Sequence, residues 1–459
     1  MDQLVAYGKT LAAKHTLSHT LHLDHLLKRL AENEQALDGA CELLTIAVKA
    51  KRRIAPAGEW LLDNFYLIEE QISTARRHLS KGYSRELPRL ANGHSAGQPR
   101  VYDMALEIIS HGDGRVDEES LCMFVQAYQT VTSLTLGELW AIPIMLRLAL
   151  IENLRRVGVS ISTARYCRND AQEWASKMIA TAETDAKSLI LVIADMARSN
   201  PPLTTPFVAE LARRLQGHGP ALAMPLTWIE QRLSETSQTI EQMVRTENQQ
   251  QAAEQVSISN TIGSLRFLGA LDWREFVESM SDVEFVLQKD GAGVYPLMNF
   301  ATRDRYRHVI EKLAKKSSLS EAEIAREAVR LSVGGMAIGD AEPTAHVGYY
   351  LIGDGFMQLS KAVIKRKFSV VWTRKNTQRL CWVSYLGSIL LLTLLFSLFP
   401  IGNFLVAGTV LWQQLLFSVV LLVGVGQFAV ALVNWLTTLL VAPKHLPRMD
   451  FDKGLPAAV

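Results

Sequence analysis

Between Leu380 and Pro443 the chain has no aspartate, glutamate, lysine or arginine, a gap of charge that no other part of its 459 residues approaches. Cysteine is also scarce. The four thiols, Cys41, Cys122, Cys167 and Cys381, form no CxxC pair and keep no regular spacing, which argues against a disulfide framework or a zinc module. Loop signatures are absent as well. There is no GxxxxGK[ST], no GxGxxG after a strand, no HExxH and no GxSxG, so phosphate cradles, zinc-protease helices and serine-hydrolase elbows are excluded. Strand patterning is weak, with His346-Val-Gly-Tyr-Tyr-Leu-Ile352 as the one candidate. A formal net charge of +2 gives no global attraction to nucleic acid. The first residues, Met1-Asp-Gln-Leu-Val, lack the basic flank and apolar run of a signal peptide, and no cleaved leader is expected.

The charge gap itself has structure. It splits at Pro400-Ile-Gly402-Asn403, a turn-forming cluster. The residues before it, Leu380–Phe399, number enough for a helix to cross about 30 Å of hydrocarbon, and a second run extends to Val441. Lys361, Lys365, Arg366, Lys367, Arg374, Lys375 and Arg379 precede the first run, and Lys444, Arg448 and Lys453 follow the second. The positive-inside rule then puts both ends in the cytoplasm and the 400–410 loop outside. Trp372, Trp382, Trp412 and Trp435 lie near the expected interfaces. The expectation is an all-α protein: a multi-helix cytoplasmic domain over residues 1–375, with a sub-boundary near 200–225, two transmembrane helices over 380–441, and a cytoplasmic tail over 442–459.

Helical spacing dominates the first 375 residues. Apolar side chains recur every three or four positions over Leu26–Ala50 and Glu59–Leu79. Glycine and proline mark loops at 81–100, at His111-Gly-Asp-Gly114, at Pro201-Pro202 and at 217–220. Thr135-Leu-Gly-Glu138 and Ser320 with Glu323 have capping-box spacing. Pro143 is expected to kink the apolar helix Leu139–Leu154 or to end its first turn. Further helices are expected over 170–198, 206–215 and 226–264, and from Asp272.

Three clusters could carry chemistry. His15, His19, His22 and His25 share a helical face, spacing that suits imidazole ligation of a metal; with only Asp24 to complete the set, no metal is expected. Glu59, Asp63 and Glu70 form an acidic face beside Trp60 and Asn64. Paired carboxylates can do acid–base work, but an ion-pair network with Arg147, Arg155 and Arg156 is the favoured reading. Arg303, Asp304, Arg305, Arg307 and His308 surround Tyr306; guanidinium forks suit phosphates or RNA, yet the interspersed acids favour a solvated or interface-forming helix face. No cofactor, catalytic residue or nucleic-acid partner is expected.

Several stretches then resemble the cyclic β-1,2-glucan synthases. They are Glu59-Trp-Leu-Leu-Asp-Asn-Phe65 with Ile68-Glu-Glu-Gln-Ile72, Lys81-Gly-Tyr83 with Leu87-Pro-Arg-Leu90, and Pro99-Arg-Val-Tyr102. Leu136-Gly-Glu-Leu-Trp140 through Arg147-Leu-Ala-Leu-Ile-Glu-Asn-Leu-Arg155 follows, then Ser264-Leu-Arg266, Asp272-Trp273, Phe300-Ala-Thr-Arg-Asp-Arg-Tyr-Arg-His308 and His346-Val-Gly-Tyr-Tyr-Leu351, all in the family's order. One departure is Asn299, where the family usually has aspartate. The resemblance implies a bacterial inner-membrane location and a part in making glucan from UDP-glucose. It aligns this chain with the N-terminal helical region and first membrane hairpin, ahead of the transferase and phosphorylase-like domains, so no family catalytic residue carries over. The expected partners are membrane lipid and the transferase domain or subunit, with Glu59–Gln71 and Phe300–His308 as docking surfaces. The alternative is an independent helical adaptor or regulator at the membrane.

Overall fold

The computed structural model describes residues 2–18, 25–79, 83–235, 237–336, 343–364, 374–406, 410–440 and 446–451, with side chains omitted at 374–381, 399 and 402–406. These residues are overwhelmingly helical, as the spacing predicts. The only sheet among them pairs Leu17–Ser18 with Arg89–Leu90. The chain divides into two compact units, Met1–Phe285 and Val286–Val459, a boundary later than the sequence break at 200–225.

The first unit is organised by one helix, Leu136–Thr184, 49 residues long and so about 73 Å from end to end at 1.5 Å per residue. Thr135 and Glu138 form the capping box that their spacing predicts: Thr135 Oγ1 accepts from the Glu138 amide at 3.3 Å, and Glu138 Oε2 accepts from the Thr135 amide at 2.9 Å. Pro143 does not end this helix. It removes one backbone donor, but Leu139, Ala141, Ile142, Met145 and Leu146 around it are all buried, and that burial outweighs one lost bond.

The helix serves two cores in succession. Its first half is apolar on nearly every face because Leu26–Lys49, Phe65–His78, Arg100–His111 and Ile240–Ala270 enclose it. Beyond Arg165 only a stripe remains buried, Ala171, Ala175 and Met178, packed on Leu189–Ser199 and Thr205–Leu215. The change from all-round to one-sided apolarity is the sequence record of passing from a surrounded position to a surface one. Asn153, Ser257, Thr261 and Ser264 tie Ile240–Ala270 to the central helix and to the turn at Gly114. Gly114 has φ +81°, and a Cβ there would lie 2.3 Å from Thr261 Oγ1; only glycine fits both the conformation and the space.

Two predicted helices are shorter than expected. The 59–79 segment breaks at Asn64 into Pro56–Asp63 and Phe65–His78, and the 226–264 segment into Ala223–Ser234 and Ile240–Ala270. Thr239 caps the latter with its own capping box to Gln242.

In the second unit, the strand candidate His346–Ile352 is instead a short helix, Val347–Leu351. Val347, Gly348, Tyr350 and Leu351 are its buried residues, a three- and four-residue spacing rather than alternation. His346 Nδ1 lies 2.7 Å from Asp290 Oδ2, and the Val347 amide donates to Asp290 Oδ1 at 2.7 Å, so one buried carboxylate fixes this helix's start. Ser320 and Glu323 close the predicted capping box of Glu321–Met336.

Candidate membrane hairpin and docking surfaces

Two long helices end the second unit, Arg374–Val406 and Leu411–Leu440. The first continues through Pro400 to Val406 instead of stopping at the proline. Leu411–Leu440 is apolar and long enough to cross a membrane, and Ala429 and Val433 are its buried residues. The apolar stretch of its neighbour that the described residues define, Trp382–Leu398, is shorter. Among the described residues one helix is therefore long and apolar enough to cross a membrane, where two were expected.

The two helices pack on each other. Phe396 and Phe428 meet edge to face at 5.9 Å, and Tyr385 donates to Asn434 Oδ1 at 2.7 Å. Pairing these polar groups removes the cost each would carry alone in hydrocarbon. Around this seam the large apolar side chains face outward: Leu390, Leu395, Leu398, Leu415, Val420 and Leu439 are all exposed. An apolar surface of this kind marks a membrane or protein-interaction site. Trp382, Trp412 and Trp435 are exposed too. Trp372 and the flank Lys365, Arg366, Lys367, Lys444 and Lys453 lie outside the described residues.

After the second helix the chain bonds back to an earlier segment of the same unit. The Asn299 amide donates to the Arg448 carbonyl at 3.0 Å, the Arg448 amide to Thr302 Oγ1 at 3.1 Å, and the Asp450 amide to the Leu297 carbonyl at 2.8 Å. Asn299 itself caps Phe300–Ala314, its side chain accepting from the Thr302 amide. An aspartate would make the same cap, so the departure from the family pattern costs nothing structurally.

The predicted site residues separate into exposed and buried sets. Glu59, Trp60, Asp63 and Glu70 are exposed. Asn64 is buried, bonding the Trp60 carbonyl and accepting from Arg266 at 2.8 Å. The expected ion pairs to this acidic face do not form: Arg147 donates to Gln71, Arg155 pairs with Glu152 and Arg156 bonds Asn153. Burial holds the Arg147 guanidinium below its ordinary range. On Phe300–Ala314, Arg305 and His308 are exposed, Arg303 and Asp304 half-buried, and Arg307 fully buried over the Phe300 ring. This helix thus gives its basic residues to two different environments.

Of the histidine row the structure describes His15 and His25. His15 bonds Tyr128 at 2.8 Å through Nδ1 and Asp103 at 3.0 Å through Nε2, leaving neither nitrogen for a metal. His19 and His22 lie outside the described residues. Among the described residues no metal-holding group of three is found.

A carboxylate that composition did not single out is Glu152. Against the cost of burial, hydrogen bonds from Arg29, Arg155 and Asn33 bring its pKa down to about 2. Because the folded value lies below the unfolded one, its stabilisation is complete above the ordinary carboxylate pKa and fades as pH falls from about 4.5 towards 2. Glu152→Gln should therefore melt at a temperature that changes less between pH 5 and pH 3 than the parent's. Parallel acid limbs in thermal melts would contradict this.

A comparison with protein-family models finds no match. Against curated proteins, the chain is 30% identical over 464 aligned residues to the cyclic beta-(1,2)-glucan synthase NdvB of Rhizobium meliloti (strain 1021). The alignment takes in 99% of this chain but 16% of that relative. The resemblance carried by the motifs therefore extends along the whole chain, which is a fragment-sized homologue of a cyclic β-(1,2)-glucan synthase.

Proposed function

We propose that this chain is the N-terminal, membrane-anchoring portion of a cyclic β-1,2-glucan synthase, serving glucan synthesis from UDP-glucose without catalysing it. The observation that carries this reading is the collinear similarity to a glucan synthase over 99% of the chain, joined to an apolar helix pair with outward-facing leucines. The return of residues 446–450 to residues 297–302, ahead of the hairpin in the same unit, fits a down-and-back passage, with both ends of the hairpin on the cytoplasmic face of a bacterial inner membrane. UDP-glucose is made in the cytoplasm, so a transferase domain held there meets its substrate directly.

The helical units would then orient that domain. Glu59, Trp60, Asp63 and Glu70 offer an exposed acidic and aromatic face, and Arg303, Asp304, Arg305 and His308 a mixed one. Asn64 and Arg307 support those faces from within. Membranes containing only this chain, incubated with radiolabelled UDP-glucose, should yield no labelled glucan. Labelled glucan from such membranes would overturn the non-catalytic reading.

A further inference from the structure

A second feature of the first unit is a cleft of about 720 Å³ beside the far half of the long helix. Six arginines line it, Arg52, Arg53, Arg165, Arg168, Arg213 and Arg214, against four glutamates, Glu210, Glu230, Glu241 and Glu247. The pairing inside is uneven. Arg213 and Arg214 both bind Glu210, and Arg168 binds Glu247 at 2.6 Å, while Glu230 and Glu241 stand exposed. Arg52 donates to Asn169 at 3.1 Å, a neutral partner.

Arg165 is the unusual member. It is only 4% exposed, its Nη1 donates to the Arg53 carbonyl at 2.7 Å, and its Nη2 has no hydrogen-bond partner. Burial, then the nearby charges of Arg52 and Arg168, hold its guanidinium below the ordinary range. A buried guanidinium that no carboxylate bonds directly, with Glu210 as its nearby favourable charge, is costly, and guanidinium forks lining one cleft suit an oxyanion. No aromatic side chain is among the described lining residues, so a nucleobase or a sugar ring would have nothing to stack on.

We infer that this cleft is a binding site for a small multivalent phosphate, with Arg165 at its floor and Arg52 and Arg53 at its rim. The ligand completes the ion pairing that the protein leaves open. It is independent of where glucan is made, and its failure would leave the anchoring reading untouched.

Calorimetric titration of the full chain in detergent tests it, with inorganic diphosphate and glycerol 3-phosphate as separate probes at constant ionic strength. The expected result is one site with a Kd below about 1 mM for at least one probe, the tighter one telling an inorganic from an organic source. Arg52→Ser and Arg53→Ser, both at the rim, should each weaken binding about tenfold, as loss of a charge-assisted contact does. Arg165→Gln should weaken it further, but it also alters the tie to the Arg53 carbonyl, so the rim variants decide. Heats no larger than those from sodium chloride at equal ionic strength, or rim variants that bind like the parent, would overturn the proposal.

Discussion

Replacing Glu138 with alanine is expected to destabilise the first unit by about 3–5 kcal/mol, the usual effect of stranding one partner of a buried ion pair. Glu138 is fully buried, and Arg100 is 2% exposed. The carboxylate takes both prongs of the guanidinium, Nε at 2.8 Å and Nη2 at 2.6 Å, and also accepts from the Thr135 amide and hydroxyl. One side chain therefore neutralises a buried cation and closes the cap of the longest helix. The cap alone contributes about 1 kcal/mol, so the larger part of the loss is the uncompensated arginine. Thermal unfolding of the full chain in detergent, followed by circular dichroism, should show a drop on the order of 10 °C. The double variant Arg100→Met/Glu138→Leu removes both charges and should recover much of that loss, since apolar replacements of buried pairs are often neutral. A single variant melting with the parent, or a double variant no better than the single one, would place the stabilisation elsewhere.

The same residues show what the sequence made legible. Capping boxes are local: Thr135 and Glu138, or Ser320 and Glu323, meet within one turn, so their spacing alone identified two helix starts. The apolar run after Leu139 identified a buried helix for the same reason. Partners distant in the chain were not legible. Arg100 finds Glu138 across 38 positions, and Arg29 finds Glu152 across 123, pairings that only the packing of separate helices decides. The expected arginine network on the acidic face failed because Arg155 and Arg156 bond Glu152 and Asn153 one turn away, and Arg147 bonds the uncharged Gln71. The phosphate cleft escaped notice for a related reason. Its arginines come from residues 52–53, 165–168 and 213–214, three segments with no shared motif. Pro400 misled in the opposite direction, since a local rule for breaking helices lost to a continuous apolar run.

On the proposed anchoring reading, the helix pair carries the second large effect, an all-or-none difference in which side of the membrane a residue faces. Charge placement argues for it: basic residues flank both ends and none lies between Leu380 and Pro443, and moving such charges across a bilayer is costly. Docking of residues 446–450 beside Asn299 supports the proposed reading, in which the second helix ends on the side where the first began. Val410, just before the second helix, and Leu446, just after it, are both exposed, so a thiol at either would be open to reagent.

The most direct test places single cysteines there, Val410→Cys and Leu446→Cys, in a chain whose four native cysteines are changed to serine. Cells are then treated with a membrane-impermeant maleimide that reaches the outer face of the inner membrane. The account predicts that the thiol at 410 is labelled in intact cells and that the one at 446 is labelled only after the membrane is opened. Equal labelling of both in intact cells, or protection of both, would contradict a two-pass anchor with its ends in the cytoplasm.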